Sequence, residues 1–163
     1  MEVHSIETIV RALNEAGVQY LIVGGIAVNA HGFVRLTRAV DLVLRLEPAN
    51  AVRGLEALLQ AGWRLAIPET PAAFADAATR ERWRREKNMI VLKLWSDEHR
   101  RTPVDIFVYE PFDFAAEFAR AERLEVCPGV LAPVVSLETL LCMKREAGRP
   151  QDQIDIEELK RMR

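Results

Sequence analysis

The stretch Tyr20-Leu-Ile-Val-Gly-Gly-Ile-Ala-Val-Asn-Ala-His-Gly-Phe-Val-Arg-Leu-Thr-Arg-Ala-Val-Asp41 constrains this chain more than any other. Tyr20–Val23 reads as a short buried strand, and Gly24-Gly25 turns it into a helix ending near Gly32. A loop carrying Arg35 and Thr37 then feeds a second apolar strand, Val40–Leu46, which holds one acid, Asp41. Such an arrangement offers backbone N–H groups to a polyphosphate and a carboxylate to the metal that travels with it. Glycine lets those amides close on phosphate oxygens with no β-carbon in the way. The plainer account of Gly24-Gly25 is a tight strand-to-helix turn. The position of the pair, directly after a buried strand and upstream of an acid-bearing one, favours the phosphate reading.

The remaining pattern is that of one mixed α/β domain over 1–163. Ile6, Ile9, Val10 and Leu13 recur at helical spacing within residues 5–16. Pro48 opens a helix that runs to about Gln60 and is closed by Gly62. Arg64–Ile67 reads as a short strand, and residues 68–87 as a loop or exposed helical insert. Met89–Trp95 and Val104–Tyr109 read as a hairpin, so the sheet is expected to be mixed rather than purely parallel. A helix at about Phe112–Ala121, a weak strand at Leu124–Cys127 and a proline-bracketed segment follow. Two closing helices, Leu137–Ala147 and Gln151–Met162, are parted by Gly148-Arg149-Pro150. Residues 1–110 thus form the sheet region and 111–163 a C-terminal helical region.

Composition narrows the setting. Half the residues are apolar and 28% are charged, with a net charge of −2, so bulk electrostatics gives no reason to expect nucleic acid or membrane binding. No apolar run approaches the ~18 residues of a membrane span, and charged residues interrupt the N-terminus where a signal peptide would lie. A cytoplasmic location is expected. Cys127 and Cys142 form no C-x-x-C pair, and both are expected to be reduced and buried.

Two acids stand out chemically. Asp41 opens the run Val40-Asp-Leu-Val-Leu44, and Asp105 sits in Val104-Asp-Ile-Phe-Val108. An acid within an apolar strand is expensive unless it is paired, hydrogen-bonded or bound to metal. Nucleotidyl transfer asks a protein mainly for metal ions, in-line geometry and charge neutralisation at phosphorus. Acids two residues apart on one strand leave the same face, and with a third acid on a neighbouring strand they hold two metals roughly 3.5–4 Å apart. Two of those three acids are present here. Arg35 is either a surface charge or an organiser of the loop that also neutralises phosphate. Thr37 either bonds a phosphate or ties the turn together.

These residues resemble the small bacterial nucleotidyltransferases of the DNA polymerase β-type superfamily, in particular those related to AbiEii-type and MenT-type toxins. Gly24, Gly25, Ala27, His31, Gly32, Arg35, Thr37 and Asp41 match their Gly-Gly-x-Ala, His-Gly and Arg-x-Thr-x-Asp-x-Asp string. The closing segments Ser136–Lys144 and Ala147–Asp155 match a helix bearing a lysine followed by Gly-Arg-x-x-Asp. The resemblance implies a nucleotidyltransferase-type mixed β-sheet flanked by helices, with the C-terminal helices packed alongside. It implies Mg2+ (or Mn2+) held by Asp41 and Asp105, and nucleotide contacts at Gly24, Gly25, Arg35, Thr37, Lys144, Arg149 and Asp152. It further implies transfer of a nucleoside monophosphate from a nucleoside triphosphate to an acceptor hydroxyl. That acceptor would be RNA, plausibly tRNA, or protein, in a toxin with a cognate antitoxin, and a small molecule such as an aminoglycoside is the alternative.

Ala39 departs from the pattern, standing where the first of the paired acids is expected. A methyl group ligates no metal, so affinity and turnover should fall. Two explanations stay open: a natural degenerate member that binds nucleotide or a partner, or a deliberate aspartate-to-alanine change that silences a toxic enzyme. The one dense basic cluster is Arg80–Lys87, with Trp83 able to stack on a base and five of its eight residues basic. It reads either as an RNA-docking face or as a solvated helix face.

Overall fold

A computed structural model describes residues 1–162. The chain opens with α1 (Val3–Glu15), whose predicted stripe Ile6, Ile9, Val10 and Leu13 is buried throughout. Next come β1 (Tyr20–Val23), α2 (Gly24–Ala30), an extended segment over 33–39, and β2 (Val40–Leu44). α3 (Pro48–Gln60) starts on a proline, and the Glu47 carboxylate accepts the amides of Ala49 and Asn50 at 3.1 Å each. Proline at the first helical position and an acid satisfying orphan amides explain a clean start there.

β3 (Arg64–Leu65), α4 (Pro71–Ala75), α5 (Ala77–Lys87), β4 (Val91–Trp95) and β5 (Val104–Phe107) follow. The chain finishes with α6 (Phe114–Arg120), β6 (Glu122–Cys127), β7 (Val130–Val134), α7 (Leu137–Ala147) and α8 (Pro150–Arg161).

All seven strands join one mixed sheet in the order β3-β4-β5-β2-β1-β7-β6. β2 pairs antiparallel with β1 and parallel with β5, and β4 and β5 form the expected antiparallel hairpin. The central strands are sealed on both faces: every residue of β1 is buried, as are Leu42, Val43 and Leu44 on β2. A strand covered on both sides reads as a continuous apolar run, which is how Tyr20–Val23 reads. An acid entering such a strand can be solvated only at its end, and Asp41 lies one residue inside the start of β2.

Four expectations need correction. Residues 68–87 take the helical alternative rather than the loop, but not as a wholly exposed insert: α4 packs on α3 and α5 on α4, with Phe74 fully buried and Trp83 only 3% exposed. Burying each such side chain contributes about 2–3 kcal/mol, which outweighs the charged composition around them. Trp83 therefore has no face to offer a base, and Arg80, itself buried, donates to the Phe74 carbonyl at 2.7 Å. The C-terminal region is not only helical: the expected strand at Leu124–Cys127 lies within β6, and the unexpected β7 beside it joins it in extending the sheet beyond β1. Pro133 sits inside β7 and disguises it; with no N–H to donate there, the ladder to β1 has one registered pair, Ile22 with Val134. Finally, the cysteines are free but not buried, Cys127 being half-exposed and Cys142 exposed.

No helix among the described residues is long and apolar enough to cross a membrane.

Candidate nucleotide and metal site

A row of registered positions crosses the sheet from β1 to β4. Val23 faces Asp41, Asp41 faces Asp105, and Asp105 faces Lys93. Registered neighbours leave the sheet on the same side, and adjacent strands lie about 4.8 Å apart, so the two carboxylates stand side by side. Burial, and then the neighbouring Asp105 charge, push the Asp41 carboxyl up to about 7 against the pull of Lys144, Arg149 and the Gly25 amide. Burial also raises Asp105, with Lys93 opposing it from 3.6 Å.

The two glycines have a local reason that differs from the one read in the sequence. Gly24 has φ +66°, and a β-carbon there would lie 2.1 Å from Asp41 Oδ2. A β-carbon on Gly25 would lie 2.2 Å from Thr37 Oγ1. The space that glycine leaves is filled by Asp41 and Thr37, so the turn exists to receive the acid-bearing strand. Gly24 still lines the cleft described below.

Between them, the segment 33–39 alternates inward and outward with period two. Phe33, Arg35, Thr37 and Ala39 are partly covered, while Val34 and Leu36 are 80% and 96% exposed. Ala39 thus shares a side with Asp41, two residues on.

Arg35 turns inward to a cluster of charges at α7 and α8. Its Nε and Nη2 donate to Asp155 Oδ1 and Oδ2 at 2.7 and 2.8 Å, a bidentate fork. Lys144 Nζ reaches Asp152 at 3.0 Å and Asp155 at 2.9 Å, and Arg149 Nε donates to Asp152 at 2.7 Å. Burial alone would raise both acids. The bonds from Arg35, Lys144 and Gln151 instead hold Asp155 down to about 2, and those from Arg149 and Lys144 hold Asp152 below its usual range. Asp152 also accepts the Arg149 backbone amide at 3.0 Å, capping α8.

The row and the cluster form the floor and one wall of a cleft of about 530 Å³. Gly24, Asp41, Asp105 and Lys93 lie on its floor, and Lys144, Arg149 and Asp152 on the helical wall. Ile90, Phe107, Tyr109, Pro111 and Met143 add an apolar side. A cleft of this size with a few convergent charges suits a ligand of nucleotide dimensions.

Of the residues singled out from sequence, Gly24, Asp41, Asp105, Lys144, Arg149 and Asp152 converge on this cleft. Gly25, Thr37, Ala39 and Arg35 do not line it; Gly25 packs against Thr37, and Arg35 is held by Asp155. Sequence reasoning missed Asp155 and Lys93. A lysine at the middle of the hairpin strand, opposite an acid, was a signal for the second.

Two adjacent carboxylates whose charges oppose each other are hard oxygen donors that fit one Mg2+ or Mn2+, completed by substrate phosphate oxygens. Among the described residues no three acidic, histidine or cysteine side chains gather to hold an ion by themselves. The donor set fits one ion shared with a substrate, not a self-sufficient cage.

No protein-family model matches the chain, and no curated protein does. Solved structures do match. Lincomycin-bound lincosamide antibiotic adenylyltransferase LnuA aligns over 98% of this chain and 97% of its own, with TM-score 0.61 and 16% identity. The antibiotic-resistance factor ANT(2'')-Ia aligns over 96% of this chain and 80% of its own, with TM-score 0.60 and 19% identity. The mixed seven-stranded sheet and its helices are thus the nucleotidyltransferase fold. The narrower likeness to toxin-type members rests on the sequence string alone.

Proposed function

We propose that the protein is a nucleotidyltransferase that moves a nucleoside monophosphate from a nucleoside triphosphate to a hydroxyl of a small molecule. One observation carries the reading: Asp41 and Asp105 stand in register on adjacent strands at the floor of a cleft whose wall bears Lys144 and Arg149. Asp41 and Asp105 would hold Mg2+ or Mn2+, which when bound neutralises the polyphosphate and polarises the reacting phosphorus. Arg149, with its side chain 71% exposed, reaches toward the phosphate chain, while Lys144 stiffens the wall. The apolar side at Phe107 and Tyr109 suits the flat faces of a base or acceptor. The acceptor oxygen bonds to the α-phosphorus, the bond to pyrophosphate breaks, and the hydroxyl proton passes to Asp105.

The acceptor class draws support from the two neighbours, one a lincosamide antibiotic adenylyltransferase and the other an antibiotic-resistance factor. With Trp83 buried, an RNA acceptor rests on the sequence resemblance alone. Ala39 puts a methyl group beside Asp41, so turnover should be weak in this sequence. The test is transfer from labelled nucleoside triphosphates to a panel of hydroxylated antibiotics, by the parent and by Ala39→Asp. Metal-dependent transfer that rises in Ala39→Asp is expected; no nucleotide binding by either protein sinks the proposal.

A further inference from the structure

Among the described residues three cations line the cleft, and two of them are already hydrogen-bonded to acids of α8. Lys144 is 5% exposed and bridges Asp152 and Asp155 at 3.0 and 2.9 Å, so its charge is matched inside the protein. Arg149 spends Nε and Nη2 on Asp152, at 2.7 and 3.2 Å. Lys93 differs. Its side chain is 68% exposed, and its one ionic neighbour among the described residues is Asp105 at 3.6 Å, beyond hydrogen-bond length. A solvated pair of that kind holds the lysine loosely.

Its position is nonetheless set. Leu92 and Leu94 are buried on the opposite face of β4, which obliges Lys93 to emerge on the side of Asp105 and Asp41. Two carboxylates balance one divalent ion and leave no surplus positive charge for a polyphosphate. With alanine at position 39, the floor has no third acid to recruit a second ion, and Lys93 is the cation registered beside Asp105.

We propose that Lys93 is a polyphosphate-binding residue that supplies, as a fixed ammonium, the positive charge that a second metal ion would otherwise bring. The inference rests on the nucleotidyltransferase reading and deepens it. In the ground state Lys93 leans on Asp105; when a substrate enters, its Nζ turns to the phosphate oxygens and Asp105 turns to the divalent ion. A lysine kept only as a surface ion pair would leave polyphosphate binding unchanged.

The experiment measures binding of inorganic tripolyphosphate by calorimetry in EDTA, for the parent, Lys93→Met and Lys93→Arg. Tripolyphosphate removes any dependence on the base. Loss of one charge-assisted contact should weaken Lys93→Met by roughly tenfold, with Lys93→Arg within about threefold of the parent. Without nucleotide, Mn2+ should bind Lys93→Met more tightly than the parent, because a repelling charge has gone. Tripolyphosphate affinity unchanged in Lys93→Met, or no binding to the parent, overturns the proposal. ATP, GTP, CTP and UTP with Mg2+ are titrated in parallel. If they bind the parent while the tripolyphosphate result fails, only the role of Lys93 falls; if none binds, the transferase reading falls with it.

Discussion

Replacing Asp41 with asparagine removes the charge this fold holds at greatest cost. The carboxyl is pushed from 3.8 to about 7 by burial and by Asp105 alongside. Each tenfold in proton affinity is 1.36 kcal/mol, so the ionised form is disfavoured in the folded state by about 4 kcal/mol. The folded protein therefore binds this proton more tightly than the unfolded chain. Its contribution to stability is fullest below pH 4, falls as the pH rises from 4 to about 7, and is level above that. Asparagine resembles the protonated acid and lacks this fall. Urea unfolding in EDTA should show Asp41→Asn more stable than the parent by up to about 4 kcal/mol at pH 8, with the two converging near pH 4. Mg2+ at pH 8 should recover part of the difference in the parent and none in the variant. A variant no more stable than the parent at pH 8, with an unchanged pH profile, would refute the idea that two crowded carboxylates await a cation.

Other expectations follow from neighbouring geometry. Asp155→Asn leaves Arg35 and Lys144 short of an acid and should cost roughly 3–5 kcal/mol at pH 7, measured by denaturant unfolding. Because Asp155 is held down to about 2, that contribution is present above pH 4 and is lost as the pH falls toward 2, so the variants should converge there. Gly24→Ala drives a β-carbon into Asp41 at a positive φ. It should abolish Mn2+ binding and lower stability by about 2 kcal/mol or more, and a variant that binds Mn2+ normally would count against the corner as drawn. Trp83→Ala should cost roughly 3–5 kcal/mol, whereas Arg82→Ala, on the exposed side of α5, should change stability by less than about 0.5 kcal/mol.

What could be read from sequence was local. The run from Tyr20 through Gly24-Gly25 to Asp41 carries its own geometry, since strand, turn and returning strand are neighbours in the chain as well as in space. Asp105 was legible for the same reason, as an acid in an apolar hairpin strand. What stayed hidden depended on distance or on conflicting composition. Asp155 meets Arg35 across 120 residues, and no local pattern announces such a pair. β7 was masked by Pro133, which argues against a strand wherever it stands. In α5 the density of charge outvoted a single tryptophan, although one buried ring decides which way a short helix faces. The purpose of the glycines was half seen: their freedom was needed, but for Asp41 and Thr37.

The fork between Arg35 and Asp155 has a consequence for how the protein is made. The extended segment leading to Asp41 leaves the ribosome well before the carboxylate that anchors it, which belongs to α8, 120 residues on. Until that helix emerges and docks, the segment has no tether and the basin beneath it no far bank. A nascent chain should thus carry a nearly finished sheet while still lacking a working mouth, and competence would arrive in one step, when α8 docks.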